Sequence, residues 1–313
     1  MSSNPMISVV MPVYNGEEFL REAIESILNQ TYDDFEFLII YDHSTDDTLS
    51  IIQEFQEQDE RIFLVEGDGK KLIHALNKGI KKAKGKYIAR MDADDVSLPT
   101  RFENQINHMD CLGLDICGGH SLLIDSDGKI NGMGIVPRSH DLCGLSMMFM
   151  VPFAHSSVMI LKKFLIDSSL KYGQSKYQIA EDFDLWVRMF SAGAKFGNVD
   201  DVVIQYRVLD DSLSILNATG SRRDVRGIVK KHRVEHQKNL SGVIKNIDIR
   251  PLSEGERSVV ARYLINRAIT RFDIFGLHKL KGIALKNIVI IILSEIYRLA
   301  TKYAWHGYFA RSK

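Results

Sequence analysis

Cysteine is scarce in this chain. Three of 313 residues are Cys, at 111, 117 and 143, and no CxxC pair occurs. An odd count without that spacing argues against a disulfide framework or a structural zinc site and fits a reducing compartment. Proline occurs only six times and no low-complexity run is present, which excludes a mainly disordered chain. Neither sign of charge is in excess: forty Lys and Arg balance forty Asp and Glu. That removes the electrostatic reason to expect a nucleic-acid partner. No run of about 18 uncharged apolar residues occurs, which argues against a membrane-spanning helix. The opening "MSSNPMISVVMPVYNGEEF" has no basic region before its short apolar run and does not read as a secretory signal. Both GxGxxG and GxxxxGK[ST] are missing, so dinucleotide-binding and P-loop readings lose their specific support.

What is present is a regular alternation of periods. Residues 7–13, 35–41, 61–65 and 86–91 read as buried strands. Between them, residues following Asn15, residues following Ser44 and residues 71–83 carry helical periodicity. Asn15 with Glu18, and Ser44 with Asp47, suggest capping boxes. A further helix is expected over 99–111, with Pro99 in its first turn. This alternation predicts an α/β fold with a mostly parallel sheet flanked by helices. Beyond it the pattern is mixed: short strands around an Asp-Gly turn within 114–132, a helix over 139–149, strands at 156–161 and 202–208, and a helix over 180–193 ended by Gly193. From about 219 only helical periodicity remains. The expected organisation is a catalytic unit over 1–215, divided into halves 1–110 and 111–215, with a helical C-terminal region over 216–313.

The stretch "KYIARMDADDVSL" ends an apolar strand with Asp92, Asp94 and Asp95. In an open parallel sheet, ligands sit outside the carboxyl ends of the strands, and Asp42 ends a second strand. Converging carboxylates must be protonated, paired or bound to a cation. A hard divalent ion held by one or two carboxylates fills its shell with phosphate oxygens and water. That points to metal-assisted binding of a phosphorylated or nucleotide-linked substrate. From spacing alone, a helix start is an equal reading. Glu181-Asp182 at a second helix start reads, by itself, as an ordinary N-terminal acidic pair.

Five ordered pieces resolve these alternatives. "ISVVMPVYNGEEFLREAIESILNQTYDDFEFLIIYDHSTDDT", "ALNKGIKKAKGKYIARMDADDVSLPTRFENQ", "PFAHSSVMI", "AEDFDLWVRM" and "YRV…SLS" together span roughly residues 6–212. They resemble the family 2 (GT-A fold) inverting glycosyltransferases of bacterial polysaccharide biosynthesis. The resemblance implies a GT-A nucleotide-diphospho-sugar transferase fold and a hexosyl- or N-acetylhexosaminyltransferase. It implies Mn²⁺ or Mg²⁺ held by Asp94 and Asp92 of a DxD motif, with Asp92 nearer the ribose and Asp95 in support. It places the nucleotide of a UDP-sugar donor against Pro12, Val13, Tyr14 and Asp42. Ala93, Lys71, His74, Asn77, Arg90 and His155 are its further donor-side candidates. It makes Asp182, with Glu181, the catalytic pair, Asp182 being the general base. Asp184 and Arg188 form an i, i+4 pair, and Trp186 is either core or a sugar platform.

Three departures from the family pattern stand out. His43 replaces a glycine expected in a strained turn, the Tyr-Arg-x-His histidine is replaced by Leu209, and Gln-x-x-Arg-Trp of processive synthases is missing. Arg207 reads equally as a replacement charge for that histidine or as a strand-edge salt bridge. Near the C-terminus, "IALKNIVIIIL" is followed by aromatic and basic residues through 313. That mixture is expected of an interfacial anchor or of a docking helix packed on the catalytic domain or a partner subunit, and the basic run at 222–238 faces either the same headgroups or solvent. The implied setting is the inner face of the cell membrane, cytoplasmic and peripheral, with an oligosaccharide acceptor on undecaprenyl diphosphate and β linkage. A homo-oligomer is compatible with all of this. Two competing readings are a nucleotidyltransferase acting on a sugar phosphate, which leaves Glu181-Asp182 unexplained, and a non-catalytic nucleotide- or sugar-binding protein.

Overall fold

The computed structural model describes residues 4–209, 218–246, 248 and 251–271. Strands β1 (Ile7–Val13), β2 (Phe35–Tyr41), β3 (Ile62–Glu66) and β4 (Tyr87–Arg90) alternate with helices α1 (Leu20–Leu28), α2 (Thr48–Gln58) and α3 (Lys71–Lys82). They pair in parallel in the order β3-β2-β1-β4. The two central strands are apolar on both faces because both faces are covered. Val9 and Met11 of β1 pack with α1 and α2, whereas Val10 between them packs with α3.

The second half extends the same sheet. After β5 (Val96–Ser97) and α4 (Arg101–Leu112) come β6 (Ile116–Ile124), β7 (Ile130–Gly134), α5 (His140–Ser146), a 3₁₀ turn at His155–Ser157, β8 (Met159–Leu161), α6 (Lys162–Asp167), α7 (Glu181–Ser191) and β9 (Phe196–Arg207). The full order is β3-β2-β1-β4-β8-β6-β9-β5, with β7 beside β6. Here β8, β7 and β5 run antiparallel to their neighbours, so the parallel character belongs to the first half and to the β6–β9 pair. Strand β9 begins six residues earlier than its apolar run suggested.

Two helices follow, α8 (Ala218–Asn246) and α9 (Glu254–Arg271), with Pro251 between them. They pack on the preceding α/β unit: α8 contacts α7 and α5, and α9 contacts α5. Leu240, Ile244, Val260 and Leu264 share a core with Leu142, Leu145 and Phe149. Among the described residues no helix is long and apolar enough to cross a membrane. The 215/216 boundary and the aromatic-basic stretch after 283 lie outside the described residues.

The expected capping boxes are not there. Helix α1 starts at Leu20 and α2 at Thr48, and neither has a side-chain cap from its boundary residue. Asn15 and Glu17 instead bond across to the loop after β2. Asn15 N donates to Ser44 Oγ at 2.9 Å, and Thr45 N donates back to Asn15 Oδ1 at 2.9 Å. Glu17 N donates to Asp46 Oδ2 and Asp47 N to Glu17 Oε2. The residue types were those of caps, but the adjacent parallel strand ends offered nearer amides. Pro99 lies ahead of α4 rather than in its first turn, and its carbonyl accepts from Thr31 N.

Helix α3 lies against β1 and β2 at Gly79, where a Cβ would run into Val10 Cγ1 and sit 3.0 Å from Ile40 Cδ1. Alanine is the better helix former by about 1 kcal/mol, but overpacking costs about 1–3 kcal/mol. Gly79→Ala should therefore lower the urea midpoint; a rise would contradict this packing.

Candidate active site

The carboxyl ends of β1, β2 and β4 lie side by side, as parallel pairing requires. Each contributes candidates. Tyr14 follows β1 and is 63% exposed, a ring free to meet a ligand. Pro12 is partly exposed, but the Val13 side chain is buried in the core, so its expected donor contact is limited to backbone. After β2, His43 takes up a left-handed backbone (φ 49°), the conformation for which the sequence pattern led one to expect glycine. Asp42 is tied down: its carboxylate accepts from Gly69 N at 2.6 Å and Lys71 N at 3.2 Å. It shapes the turn into α3, and its oxygens are already engaged by protein amides. Lys71 and His74 are exposed at the start of α3. Asn77 is committed elsewhere, since its amide donates to Tyr172 O and accepts from Tyr172 N, both at 3.1 Å.

Asp92, Asp94 and Asp95 follow β4, with a carboxylate oxygen from each lying within 4.8 Å of the others. Ala93, between the first two, is partly buried against the core beside α1. Burial and the neighbouring Asp92 charge push Asp94 up to about 6. Asp95 is 1% exposed and is pushed well above the usual carboxylate range by burial and both neighbouring aspartates. Its Oδ1 accepts from Arg207 N at 2.7 Å, while Oδ2 is buried without a hydrogen-bond partner. Three oxygen-donor carboxylates, one with an unpartnered buried oxygen, suit a hard divalent cation.

Arginines surround this cluster. Arg90, 3% exposed, makes an ion pair with Asp92 through Nη1, and its Nε lacks a hydrogen-bond partner. Arg101 is fully buried, donates to the carbonyls of Arg90 and Val158, and is pushed down to about 9 by burial and by Arg90. Arg207 donates to Asp94 O, Asp125 O, Ser126 O and Glu22 Oε2, and its guanidinium lies 4.2 Å from the Phe19 ring centre. All its nitrogens are engaged by the protein, so it clamps the loop rather than offering a free charge in place of the histidine missing at Leu209.

Glu181 and Asp182 open α7. Phe183 N donates to Asp182 Oδ1 at 2.7 Å, which orients that carboxylate. Burial raises Asp182, and burial with the adjacent Asp182 charge raises Glu181 to about 8. Both feel Asp92 and Arg90, so the fold brings the two acidic motifs into one electrostatic unit across ninety residues of chain. His155 Nε2 and the Tyr172 hydroxyl are 2.9 Å apart beside them. Burial and Arg90 hold His155 well below its usual range, hence neutral. Trp186 is fully buried against Phe153, His155 and Tyr172, which settles it as core. Asp184 and Arg188 form the expected i, i+4 pair at 2.7 Å. Tyr172 and Arg101 were not singled out from the sequence, and neither carried a local signal that set it apart.

A carboxyl raised from 4.5 to about 8 contributes stability that is fully present below about 4.5 and is lost as pH climbs towards about 8. Glu181→Gln removes that loss. The variant's melting temperature relative to the parent should rise between pH 5 and pH 8.5, by about 5 °C. A pH-independent difference would contradict the buried, protonated Glu181.

A family model described as Glycosyl transferase family 2 matches residues 8–169. The O-antigen biosynthesis glycosyltransferase WbnJ of Escherichia coli is 32% identical over 210-odd positions, 66% of this chain and 81% of that protein. Among solved structures, S. aureus TarS 1-349 in complex with UDP-GlcNAc superposes with a TM-score of 0.56 at 19% identity, covering 93% of this chain and 80% of that one. The mannosyltransferase PcManGT from Pyrobaculum calidifontis, in complex with GDP-Man and Mn²⁺, gives 0.55 at 16% identity, covering 96% and 83%. The parallel strand ends, the acidic turn and the acidic helix start thus sit on a GT-A fold, and the chain belongs to glycosyl transferase family 2.

Proposed function

We propose that this glycosyltransferase moves a sugar from a nucleotide sugar, most simply a UDP-sugar, to a hydroxyl of a glycan acceptor, with a divalent cation and inversion at the anomeric carbon. The observation that carries this reading is the convergence of Asp92, Asp94 and Asp95 with Glu181 and Asp182 around Arg90. Asp94 and Asp92 would hold the cation, which neutralises charge on the leaving diphosphate. Asp95 supports them from within the fold. Tyr14 and Pro12 offer the surface against which a base packs, and Asp42 shapes that pocket through the 69–71 turn.

Inversion requires a base on the face opposite the leaving group. Asp182 fills that role: its orientation is fixed by Phe183 N, and its raised proton affinity brings it closer to the working pH. Glu181, protonated at neutral pH, spares Asp182 a second adjacent negative charge. The name of the WbnJ relative and the UDP-GlcNAc bound by TarS favour a surface-polysaccharide acceptor and a UDP donor. The GDP-Man complex of PcManGT supports Mn²⁺ but makes GDP-sugars the first donor alternative. We read residues 1–215 as the catalytic unit. We place the acceptor on a lipid diphosphate at the membrane surface.

Purified protein with Mn²⁺ and a panel of UDP- and GDP-sugars tests the donor through hydrolysis and thermal protection. Absence of both with every donor and metal would refute the reading. Asp94→Asn should abolish Mn²⁺-dependent protection by nucleotide. Asp182→Asn should retain nucleotide binding and lose turnover by about 10²–10⁴-fold; an active variant would remove Asp182 from the base role.

A further inference from the structure

The segment from Lys171 to Ala180 has no helix or strand of its own, yet it delivers Glu181 and Asp182. Part of its bonding is internal: Tyr177 N donates to Ser175 Oγ, and Lys171 N to Gln174 Oε1. Just ahead of the acidic pair, support comes from α8. Asp224, 4% exposed, accepts from Ile179 N through Oδ2 at 3.1 Å, and its Oδ1 lies 3.5 Å from Arg223 Nε. Gly227 lies against the Tyr177 ring, where a Cβ would come within 2.5 Å of Cε1 and 2.6 Å of the hydroxyl oxygen. Gly220 approaches Ile179 in the same way. Spacings of four and three residues put 220, 224 and 227 on one face of the helix.

The same helix also reaches the far end of α7, where His236 Nε2 lies 2.9 Å from Ser191 Oγ, while His232 Nε2 donates to Gly144 O of α5 at 2.8 Å. Helix α8 therefore braces both ends of the element that carries the acidic pair. A helix that only covered apolar surface would need neither a buried carboxylate aimed at a loop amide nor a glycine under a tyrosine ring.

We propose that Asp224 and Gly227 are positioning residues for the transfer reaction: docking of α8 sets the backbone that presents Asp182. Turnover then depends on a helix that lies apart in sequence from the strand ends carrying the acidic turn. The inference rests on Asp182 being the base, as proposed above.

The test uses Asp224→Ala, Asp224→Asn and Gly227→Ala in the full chain. Amide hydrogen exchange over residues 177–184 is read first and needs no substrate. Turnover of the nucleotide sugar selected by the panel, and affinity for the matching nucleoside diphosphate with Mn²⁺, are read second. Loss of one hydrogen bond to a charged group predicts about tenfold faster exchange and about tenfold lower kcat in Asp224→Ala, with nucleotide affinity held within about twofold. Asp224→Asn keeps an oxygen for Ile179 N and should behave like the parent. Gly227→Ala should lower kcat although alanine favours the helix itself. Unchanged exchange in Asp224→Ala, an Asn variant as impaired as the Ala variant, or nucleotide affinity falling in step with kcat would each overturn the proposal. Asp182→Asn is run alongside. If it is inactive while Asp224→Ala turns over normally, only the positioning role fails; if it is active, the base assignment fails with it.

Discussion

The Arg90 guanidinium is the charge around which the site is organised. It is almost fully buried at the end of a central strand, pairs with Asp92, and interacts with Asp94, Asp95, Glu181 and Asp182. Without it, five carboxylates gathered in a partly dehydrated space would repel one another with little compensation. Even with it, burial leaves Asp94, Asp95, Glu181 and Asp182 with raised proton affinity. The protein thus gathers more acid than Arg90 alone offsets, which leaves a demand for added positive charge at this strand end.

Two further arginines divide the structural work. Arg101 lies behind the cluster and ties the carbonyls at the end of β4 and the start of β8, where the parallel half of the sheet meets the mixed half. Arg207, at the carboxyl end of β9, fastens the acidic turn to α1 and to the β6–β7 turn. Neither is available to a ligand. The loops after β1 and β2 are fastened to each other by Asn15, Glu17, Ser44 and Asp46. The donor side therefore rests on short polar ties between neighbouring loops, over a sheet whose core is apolar on both faces.

Much of this was legible in the sequence because it is local. Buried strands read as apolar runs, helices as periodic faces, and the acidic turn as charge where a strand should end. The Asp184–Arg188 pair and the left-handed His43 are local as well. What sequence could not supply were pairings across the chain. Asn77 looks like a donor-pocket residue until Tyr172, 95 positions away, takes both ends of its amide. Asn15 and Ser44 have the chemistry of helix caps, and only the adjacency of two parallel strands turns them towards each other. Asp224 reads as one acid inside a basic run; the fold turns it inwards and leaves Arg223, Lys230 and Lys231 outside.

The reach of Arg207 bears on how the enzyme comes into being on the ribosome. Its bonds run back 112 and 113 residues to the acidic turn and 185 residues to Glu22. The β1–β4 half can pair once its first ninety residues have emerged, since all its strand pairings lie within that length. The acidic turn must then wait for more than a hundred further residues to be made, on the order of ten seconds at about 5–20 residues per second. During that interval the nascent chain has its parallel strands but not the strand that closes the acidic turn, so the carboxylate cluster is completed late in synthesis.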